Sequence, residues 1–230
     1  RAHAVAVQAI AAPLGELLRR DVAEWTDQGL ESVKTRTVRR VFRGRLGGVD
    51  VHVKVFRADT IAARARAVLR RPRGDREAEH LLLAASLGLP CVEPLAFGVA
   101  VESGQPCSFV VTSTVAGATF AFPAPDDVAE RTGALLRRAH DLGVLPADLH
   151  PGNVLVGADG APVLCDLTSL RHGGEPSMRQ RALALGFFCN PLDGGALDPL
   201  ARSLLRGYEA RGAPLPPSLR EELARAAQQW

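Results

Sequence analysis

The chain is poor in several residue types that mark particular classes of protein. Its 230 residues include one tyrosine, two tryptophans and only two lysines, Lys34 and Lys54. With so few aromatic side chains near its basic residues, the sequence does not favour a stacking platform for single-stranded nucleic acid. The four cysteines are widely spaced and form no CxxC pair. This spacing favours a reduced, intracellular protein over a disulfide or zinc framework.

Long hydrophobic runs are also missing. The richest apolar stretch, residues 81–89, is far shorter than the roughly 18 residues that a membrane-spanning helix needs. The sequence begins without methionine and without a signal-peptide pattern, so we expect a trimmed chain and no secretion. Its apolar and charged fractions are those of an ordinary globular protein that is long enough to bury a sizeable core.

Almost all of the positive charge comes from arginine. The formal net charge is only +3, but arginines are crowded between Arg57 and Arg76, at Arg64, Arg66, Arg70, Arg71 and Arg73. Such a patch could contact phosphate groups of lipids, sugars or nucleic acid. The alternative is a solvated helix face in a gene with GC-rich codons. The sequence leaves both interpretations open.

The N-terminal half predicts a helix followed by a small antiparallel sheet. Within residues 1–30, Pro13 stands near a predicted helix start, and apolar residues with helical spacing follow it at Leu14, Leu17, Leu18 and Val22. Strands at 38–45 and 49–57 are joined through Gly47-Gly48, a favoured hairpin turn. A helix over 75–87 ends at Gly88, and two more strands are predicted at 95–101 and 108–115.

The C-terminal half predicts mainly helix. After a hinge at 112–117, Asp126 is predicted to cap a helix that runs to about residue 142 and ends at Gly143. Short strands at 154–156 and 163–165 flank a turn at Asp159-Gly160, and the remainder is predicted helical, with breaks at 191–195 and 214–217. We therefore expect an α+β fold with an N-lobe at 1–115 and a helical C-lobe at 116–230.

The strongest functional signal is the motif Asp148-Leu149-His150-Pro151-Gly152-Asn153, which precedes the apolar run at 154–156. An aspartate five positions before an asparagine, ahead of a strand, is typical of the kinase catalytic loop. There the aspartate accepts the proton of the attacking hydroxyl, and the asparagine holds a metal ion on the nucleotide phosphates. The alternative is a surface turn, because Asp, Pro, Gly and Asn all favour turns.

Three further residues stand in the order that phosphoryl transfer requires. Lys54 lies in a predicted strand and could contact the nucleotide phosphates, and Glu77 in the next helix could pair with it, with Glu79 as its rival. Asp166 follows the strand at 163–165 and, with Asn153, offers the oxygen ligands that Mg²⁺ prefers. Alone, each could be a solvated strand lysine, a helix glutamate or a turn cap. Together with Asp148 they favour a kinase-like fold.

Other candidate nucleotide-binding residues flank these positions. The segment Lys34-Thr35-Arg36-Thr37 stands where many kinases have a glycine-rich loop, and the hydroxyls of Thr35 and Thr37 with the Arg36 guanidinium could bind phosphate. Ser113 and Val115 in the predicted hinge complete the cofactor-binding set. His150 could orient Asp148 or hydrogen-bond to backbone, and Thr168 is predicted to cap or pack.

These motifs resemble the bacterial lipopolysaccharide kinases, which phosphorylate Kdo or heptose sugars of the inner core. The resemblance runs from about residue 35 to 212, and it includes segments 35–38, 44–48, 53–54, 76–77, 87–90, 148–153, 166 and 204–208. It implies a bilobal protein-kinase-like fold, with one αC-type helix in a β-rich N-lobe. It also implies an enzyme that uses ATP and Mg²⁺ and a glycolipid or small-molecule sugar acceptor. The location implied is cytoplasmic, with peripheral contact at the inner membrane, and no nucleic acid is expected.

The chain also departs from the familiar kinase pattern. Pro146-Ala147 replaces the His-Arg that usually precedes the catalytic aspartate, and Leu167-Thr168 replaces the Phe-Gly after the metal-binding aspartate. About a dozen residues separate Asp166 from the helix near Met178, so we expect a site that is assembled without a regulated activation loop. The alternatives are a nucleotide-binding pseudokinase scaffold and a RIO/ABC1-like or antibiotic-type kinase. Antibiotic kinases generally have a larger helical domain after the metal-binding aspartate.

Overall fold

The computed structural model describes residues 2–57, 71–192, 198–210 and 212. The chain divides into two compact units, Arg1–Leu83 with Val92–Thr114 and Ala84–Cys91 with Val115–Trp230. The segment Ala84–Cys91, which the sequence assigned to the N-lobe, groups with the second unit. Much of the predicted basic patch, including Arg64, Arg66 and Arg70, and the predicted break at 214–217 lie outside the described residues.

The first unit contains a six-stranded antiparallel sheet. Its spatial order is β1-β5-β6-β4-β3-β2, with β1 at His3–Ala6, β2 at Glu31–Arg36, β3 at Arg39–Leu46, β4 at Val49–Phe56, β5 at Pro94–Glu102 and β6 at Gln105–Ser113. The β3–β4 hairpin turns at Gly47 and Gly48, whose φ angles of 58° and 84° lie in the left-handed region. A tight hairpin turn of this kind needs such angles, which glycine adopts readily, and the predicted hairpin is confirmed.

Helical segments cover both faces of this sheet. Helix α1, Gln8–Leu17, and a 3₁₀ segment, Val22–Gln28, pack on one face, where Trp25 is fully buried against Phe42 and Phe109. Val51, Val53 and Val55 of β4 alternate onto that face and are completely buried. Helix α2, Arg73–Ser86, packs on the other face, where Ala78 contacts Phe56 and Val110. The alternation along β4 therefore sends its polar residues toward the face that α2 covers.

The N-terminal 30 residues are not a single helix, so that part of the prediction is wrong. They form β1, α1 and the 3₁₀ segment, and Pro13 lies inside α1 instead of at its start. The 3₁₀ segment begins where the side chain of Asp21 accepts a hydrogen bond from the amide of Ala23. Strand β1 pairs with β5, roughly ninety positions further along the chain. No local pattern reveals such a long-range pairing.

In the described residues of the second unit there are three longer helices and five short strands. The helices are α3 at Asp126–Asp141, α4 at Met178–Phe188 and α5 at Arg202–Glu209. The strands are β7 at Gly117–Thr119, β8 at Val144–Pro146, β9 at Val154–Gly157, β10 at Pro162–Leu164 and β11 at Leu170–His172. Helices α3 and α5 approach so closely that a Cβ on Gly133 or Gly207 would lie 1.9 Å from a backbone oxygen of the opposite helix.

Two predictions for this unit are wrong. The segment after residue 165 is not wholly helical, because β11 pairs with β8 in a two-stranded ladder. In addition, β7 extends the β9–β10 pair to three strands. Asp126 does not cap α3: Pro125 occupies the N-cap, and Asp126 instead accepts a hydrogen bond of 2.6 Å from the Ser203 hydroxyl of α5. The predicted helix end at Gly143 is confirmed by its φ of 71°.

None of the helices in the described part of the chain is long and apolar enough to cross a membrane.

Candidate active site

The first unit brings together Lys54 of β4 and Glu77 of α2. The ammonium of Lys54 donates a hydrogen bond of 2.6 Å to Glu77 Oε1. Only 13% of the lysine side chain and none of the glutamate side chain is exposed to solvent. Glu79, the rival partner, is paired instead with Arg71 at the surface. A buried, hydrogen-bonded pair of this kind fixes the lysine along one direction.

The register of the sheet places the predicted phosphate-binding residues of β2 on two different faces. Directly paired residues of antiparallel strands project from the same face. The pairings through β2, β3 and β4 place Lys34 and Arg36 on the face of Lys54. Thr35 projects from the opposite face, which does not favour its predicted role. Lys34 was not singled out from the sequence, because no strand is predicted there over Glu31–Arg36.

The remaining predicted nucleotide-binding residues of this region have varied settings. Thr37 is exposed in the turn between β2 and β3. Ser113 ends β6, and its hydroxyl accepts a hydrogen bond from the amide of Glu93 at 3.2 Å. Val115 is half-buried in the segment that leads to β7. The nucleotide-binding roles of these residues stay predictions.

A polar neighbour of Lys54 on the same strand face was missed. His52 is half-buried, and its Nδ1 lies 3.0 Å from the hydroxyl of Thr114. Burial lowers the pKa of His52, and the positive charges of Arg43 and Lys54 lower it further. Because its ordinary value is 6.5, the ring is neutral at pH 7. Its spacing of two residues from Lys54 in a strand was the available signal.

The second unit brings Asp148 and Asn153 together in one loop. Asn153 is buried, and its side-chain amide donates a hydrogen bond of 2.7 Å to the backbone oxygen of Asp148. Asp148 itself is exposed, which agrees with its predicted role as a base that must reach a substrate hydroxyl. The backbone amide of Asn153 donates a further hydrogen bond to the backbone oxygen of His150, which closes the loop tightly.

Backbone hydrogen bonds hold the Asp166 segment beside this loop. The amide of Cys165 donates to the backbone oxygen of Asn153 at 2.9 Å, in continuation of the β9–β10 ladder. On the other side, the amide of Ala147 donates to the backbone oxygen of Ser169, also at 2.9 Å, in continuation of the β8–β11 ladder. Asp148 and Asp166 therefore lie on neighbouring segments that are fixed at both ends.

Asp166 has an unusual backbone conformation, with φ of 55°. A non-glycine residue in the left-handed region is uncommon and costs about 1–2 kcal/mol. The hydroxyl of Thr168 donates a hydrogen bond of 3.1 Å to Asp166 Oδ1, and Leu167 between them is buried. Strain of this kind is concentrated at functional sites, because the surrounding structure must impose it. Thr168 thus contacts the predicted metal ligand directly, which the sequence did not reveal.

Asn153 and Asp166 have the chemistry of a Mg²⁺ site. Since the side-chain nitrogen of Asn153 is used in the bond to Asp148, its oxygen is the atom that would bind a cation. An amide oxygen and a carboxylate are hard ligands, and Mg²⁺ takes the rest of its coordination shell from phosphates and water. The residues present therefore fit the ion, and their role as its ligands stays a prediction.

His150 has a clear structural consequence. Its ring lies against Gly152, where an added Cβ would come within 2.8 Å of the ring. Glycine at position 152 is therefore needed for the ring to pack in this place.

The five residues that carry the kinase prediction form two local groups, one in each unit. Their convergence on one nucleotide stays a prediction.

Comparisons with known proteins identify the fold. No family model matches the sequence, and no curated protein matches it. The structure matches that of WaaP in complex with acyl carrier protein, with a TM-score of 0.63 and 18% sequence identity. The match covers 99% of this chain and 98% of that chain. At this identity the likeness establishes fold alone: the chain has an α+β, protein-kinase-like fold, as the sequence predicted.

Proposed function

We propose that this chain is an ATP- and Mg²⁺-dependent phosphotransferase that phosphorylates a sugar hydroxyl of the lipopolysaccharide inner core. The observation that carries the proposal is the group formed by Asp148, Asn153 and Asp166. Its members are tied together by backbone and side-chain hydrogen bonds, and Asp166 is held in a strained conformation. A surface turn would not require that strain.

The proposed reaction assigns one task to each residue. Asp148 accepts the proton of the acceptor hydroxyl while the hydroxyl oxygen attacks the γ-phosphorus of ATP. The bond from that phosphorus to the β–γ bridging oxygen breaks, and ADP leaves. Lys54, held in place by Glu77, offsets negative charge on the nucleotide phosphates. Asn153 and Asp166 would hold Mg²⁺, which would neutralise charge on the phosphates and orient them.

The motifs and the fold support one acceptor class. The resemblance to lipopolysaccharide kinases spans both units, and the fold shared with WaaP extends over almost the whole chain. We therefore propose a Kdo or heptose hydroxyl as the acceptor. We also propose that the protein works in the cytoplasm, peripherally at the inner membrane, where such glycolipids are exposed to ATP.

Two assays test this function. The purified protein is incubated with radiolabelled ATP, Mg²⁺ and lipid A–core, and the lipid A–core of cells with and without the gene is compared by mass spectrometry. We expect transfer of labelled phosphate in the first assay and loss of one phosphate from a Kdo or heptose in the second.

Other outcomes would separate the rival functions. An unchanged lipid A–core profile, with transfer to soluble sugars or antibiotics, would favour a small-molecule kinase. Thermal stabilisation by ATP and Mg²⁺ without turnover on any acceptor would favour a nucleotide-binding scaffold.

A further inference from the structure

The second unit contains a buried arginine to which the proposed reaction gives no role. Arg181 lies in the first turn of α4, and its side chain is only 1% exposed. Nε donates to the backbone oxygen of Pro176 at 3.1 Å, Nη1 to Asp141 Oδ1 at 2.6 Å, and Nη2 to Glu175 Oε1 at 2.5 Å. Burying a charge is costly unless it is paired and hydrogen-bonded, so these contacts are what makes the burial possible.

The partners of Arg181 belong to two segments that lead to the site. Asp141 is the last residue of α3, and the chain continues from it through β8 to Asp148. Glu175 and Pro176 follow β11, on the segment that comes from Asp166. Arg181 therefore links the segment that precedes Asp148, the proposed base, to the segment that follows Asp166, the proposed metal ligand.

The same two segments are already paired through their backbones. In addition to the β8–β11 ladder, the amide of Gly173 donates to the backbone oxygen of Gly143. The approach is close, because a Cβ on Gly143 would lie 2.2 Å from the backbone oxygen of Gly173. The contacts of Arg181 with Asp141 and Glu175 lie just beyond this end of the ladder. Opening of the ladder from that end would have to break them.

A second polar contact stabilises the C-terminal end of α3, which carries Asp141. Tyr208 of α5 is fully buried, and its hydroxyl lies 2.7 Å from Nδ1 of His140, the residue before Asp141. Arg137 contacts the same tyrosine ring and also donates to Asp141 at 2.9 Å. Asp141 is thus held by two arginines, which hold its pKa below its ordinary value although burial acts to raise it.

We propose that Arg181 is a positioning residue that clamps residues 167–177 in their active arrangement without phosphorylation. In regulated kinases the corresponding order is created when an arginine pairs with an added phosphate. Here the carboxylate of Glu175 supplies the anion permanently. Two hydroxyls of the segment are also engaged, since Thr168 donates to Asp166 and Ser177 caps α4. This inference rests on the proposed function, because it concerns the placement of Asp148 and Asp166.

The clamp consists of Arg181 with Asp141 and Glu175, and its most exposed member, Glu175, offers the sharpest test. The Glu175 side chain is 70% exposed, so Glu175→Gln should leave the global fold intact. Glu130→Gln is the matched control, because it removes a carboxylate from the ion pair with Arg206 in the same unit, away from the clamp. Arg181→Met is the stronger variant, and adding ethylguanidinium to the truncated variant Arg181→Ala tests for rescue.

Two readouts are measured at a temperature where every variant compared is folded. Hydrogen exchange of the Ala147 and Gly173 amides reports opening of the ladder and needs no activity. The second readout is the rate of phosphate transfer from ATP to lipid A–core. For Glu175→Gln we expect exchange at both amides to rise and kcat to fall by about fivefold, with KM for ATP unchanged. Glu130→Gln should change neither quantity, and ethylguanidinium should restore part of the activity of Arg181→Ala.

The outcomes distinguish the clamp from the function. Unchanged exchange in Glu175→Gln would overturn the clamp, whether or not the protein is a kinase. An unchanged kcat in an active parent would overturn it as well, as would a parent that loses activity on phosphatase treatment. A parent with no transferase activity, but with faster exchange in Glu175→Gln, would contradict the proposed function while it supports the clamp's hold on the ladder. If Arg181→Met does not fold, Glu175→Gln alone decides the matter.

Discussion

Lys54 and Glu77 in the first unit are held by regular elements, whereas Asp148, Asn153 and Asp166 in the second lie in loops between three- and four-residue strands. In the first unit a strand and a helix bring two opposite charges together, and the charges hold one another. In the second unit backbone hydrogen bonds fix the loops, and a strained residue is part of the result. The first group therefore depends on side-chain charge, and the second depends on the surrounding backbone.

The largest stability effect that this comparison predicts concerns the charged pair. Lys54→Met should destabilise the first unit by about 3 kcal/mol, because it takes the ammonium of Lys54 away from the buried carboxylate of Glu77. The double variant Lys54→Met with Glu77→Leu should recover most of that loss. Denaturant unfolding of the single and double variants measures both effects. Equal stability of the two variants would show that the charge of Glu77 is compensated by other groups.

In the second unit a buried group must be neutral, and this predicts a dependence on pH. Burial, reinforced by Arg181 and Arg137 and opposed by Asp141, lowers the pKa of His140 to about 3. The unfolded ring has a pKa of 6.5, so between these values the unfolded state binds more protons and stability falls as the pH falls. Between pH 7 and pH 5, we expect the parent to lose about 2 kcal/mol more than His140→Gln does.

The measurement is the free energy of unfolding of both proteins at the two pH values. All other titrating groups are common to the two proteins, so the difference isolates the histidine. Parallel losses in the parent and the variant would mean that His140 can take up a proton in the folded state.

The strained backbone of Asp166 predicts a smaller change in stability. Asp166→Gly removes the penalty of a left-handed non-glycine residue but adds the conformational entropy of glycine in the unfolded chain. The two effects nearly cancel, so stability should stay within about 1 kcal/mol of the parent, while transferase activity is lost. Thermal unfolding and the transfer assay check these results. A large loss of stability would show that the Asp166 carboxylate holds the loop together, and the strain would then have a structural reason.

These cases show which parts of the molecule can be predicted from sequence. The β3–β4 hairpin could be predicted because Gly47-Gly48 and the alternating valines are local signals. The pairing of Lys54 with Glu77 followed from the order of a strand lysine and a helix glutamate. In contrast, β1, β8 and β11 are three- or four-residue strands whose partners lie about 25 to 90 positions away. The φ of Asp166 and the burial of Arg181 result from those long-range contacts, so no local pattern announces them.

The smallest effects that we predict concern the two faces of β2. Arg36→Gln removes a cation from the face of Lys54 and should raise KM for ATP by about fivefold. Thr35→Val, on the opposite face, should change KM by less than about twofold. Initial rates at varied ATP concentration measure both variants. If Thr35→Val had the larger effect, the face assigned from the strand register would not be the one that binds phosphate.

The central claim is that Asp148, Asn153 and Asp166 form a phosphotransfer site in which Asp148 is the base. The most direct test is single-turnover transfer of phosphate from ATP to lipid A–core by the parent and by Asp148→Asn. Because Asp148 is exposed, the variant should keep the fold and ATP binding of the parent. Its rate of transfer should fall by a factor on the order of a thousand. Transfer at the parental rate by the folded variant would contradict the claim.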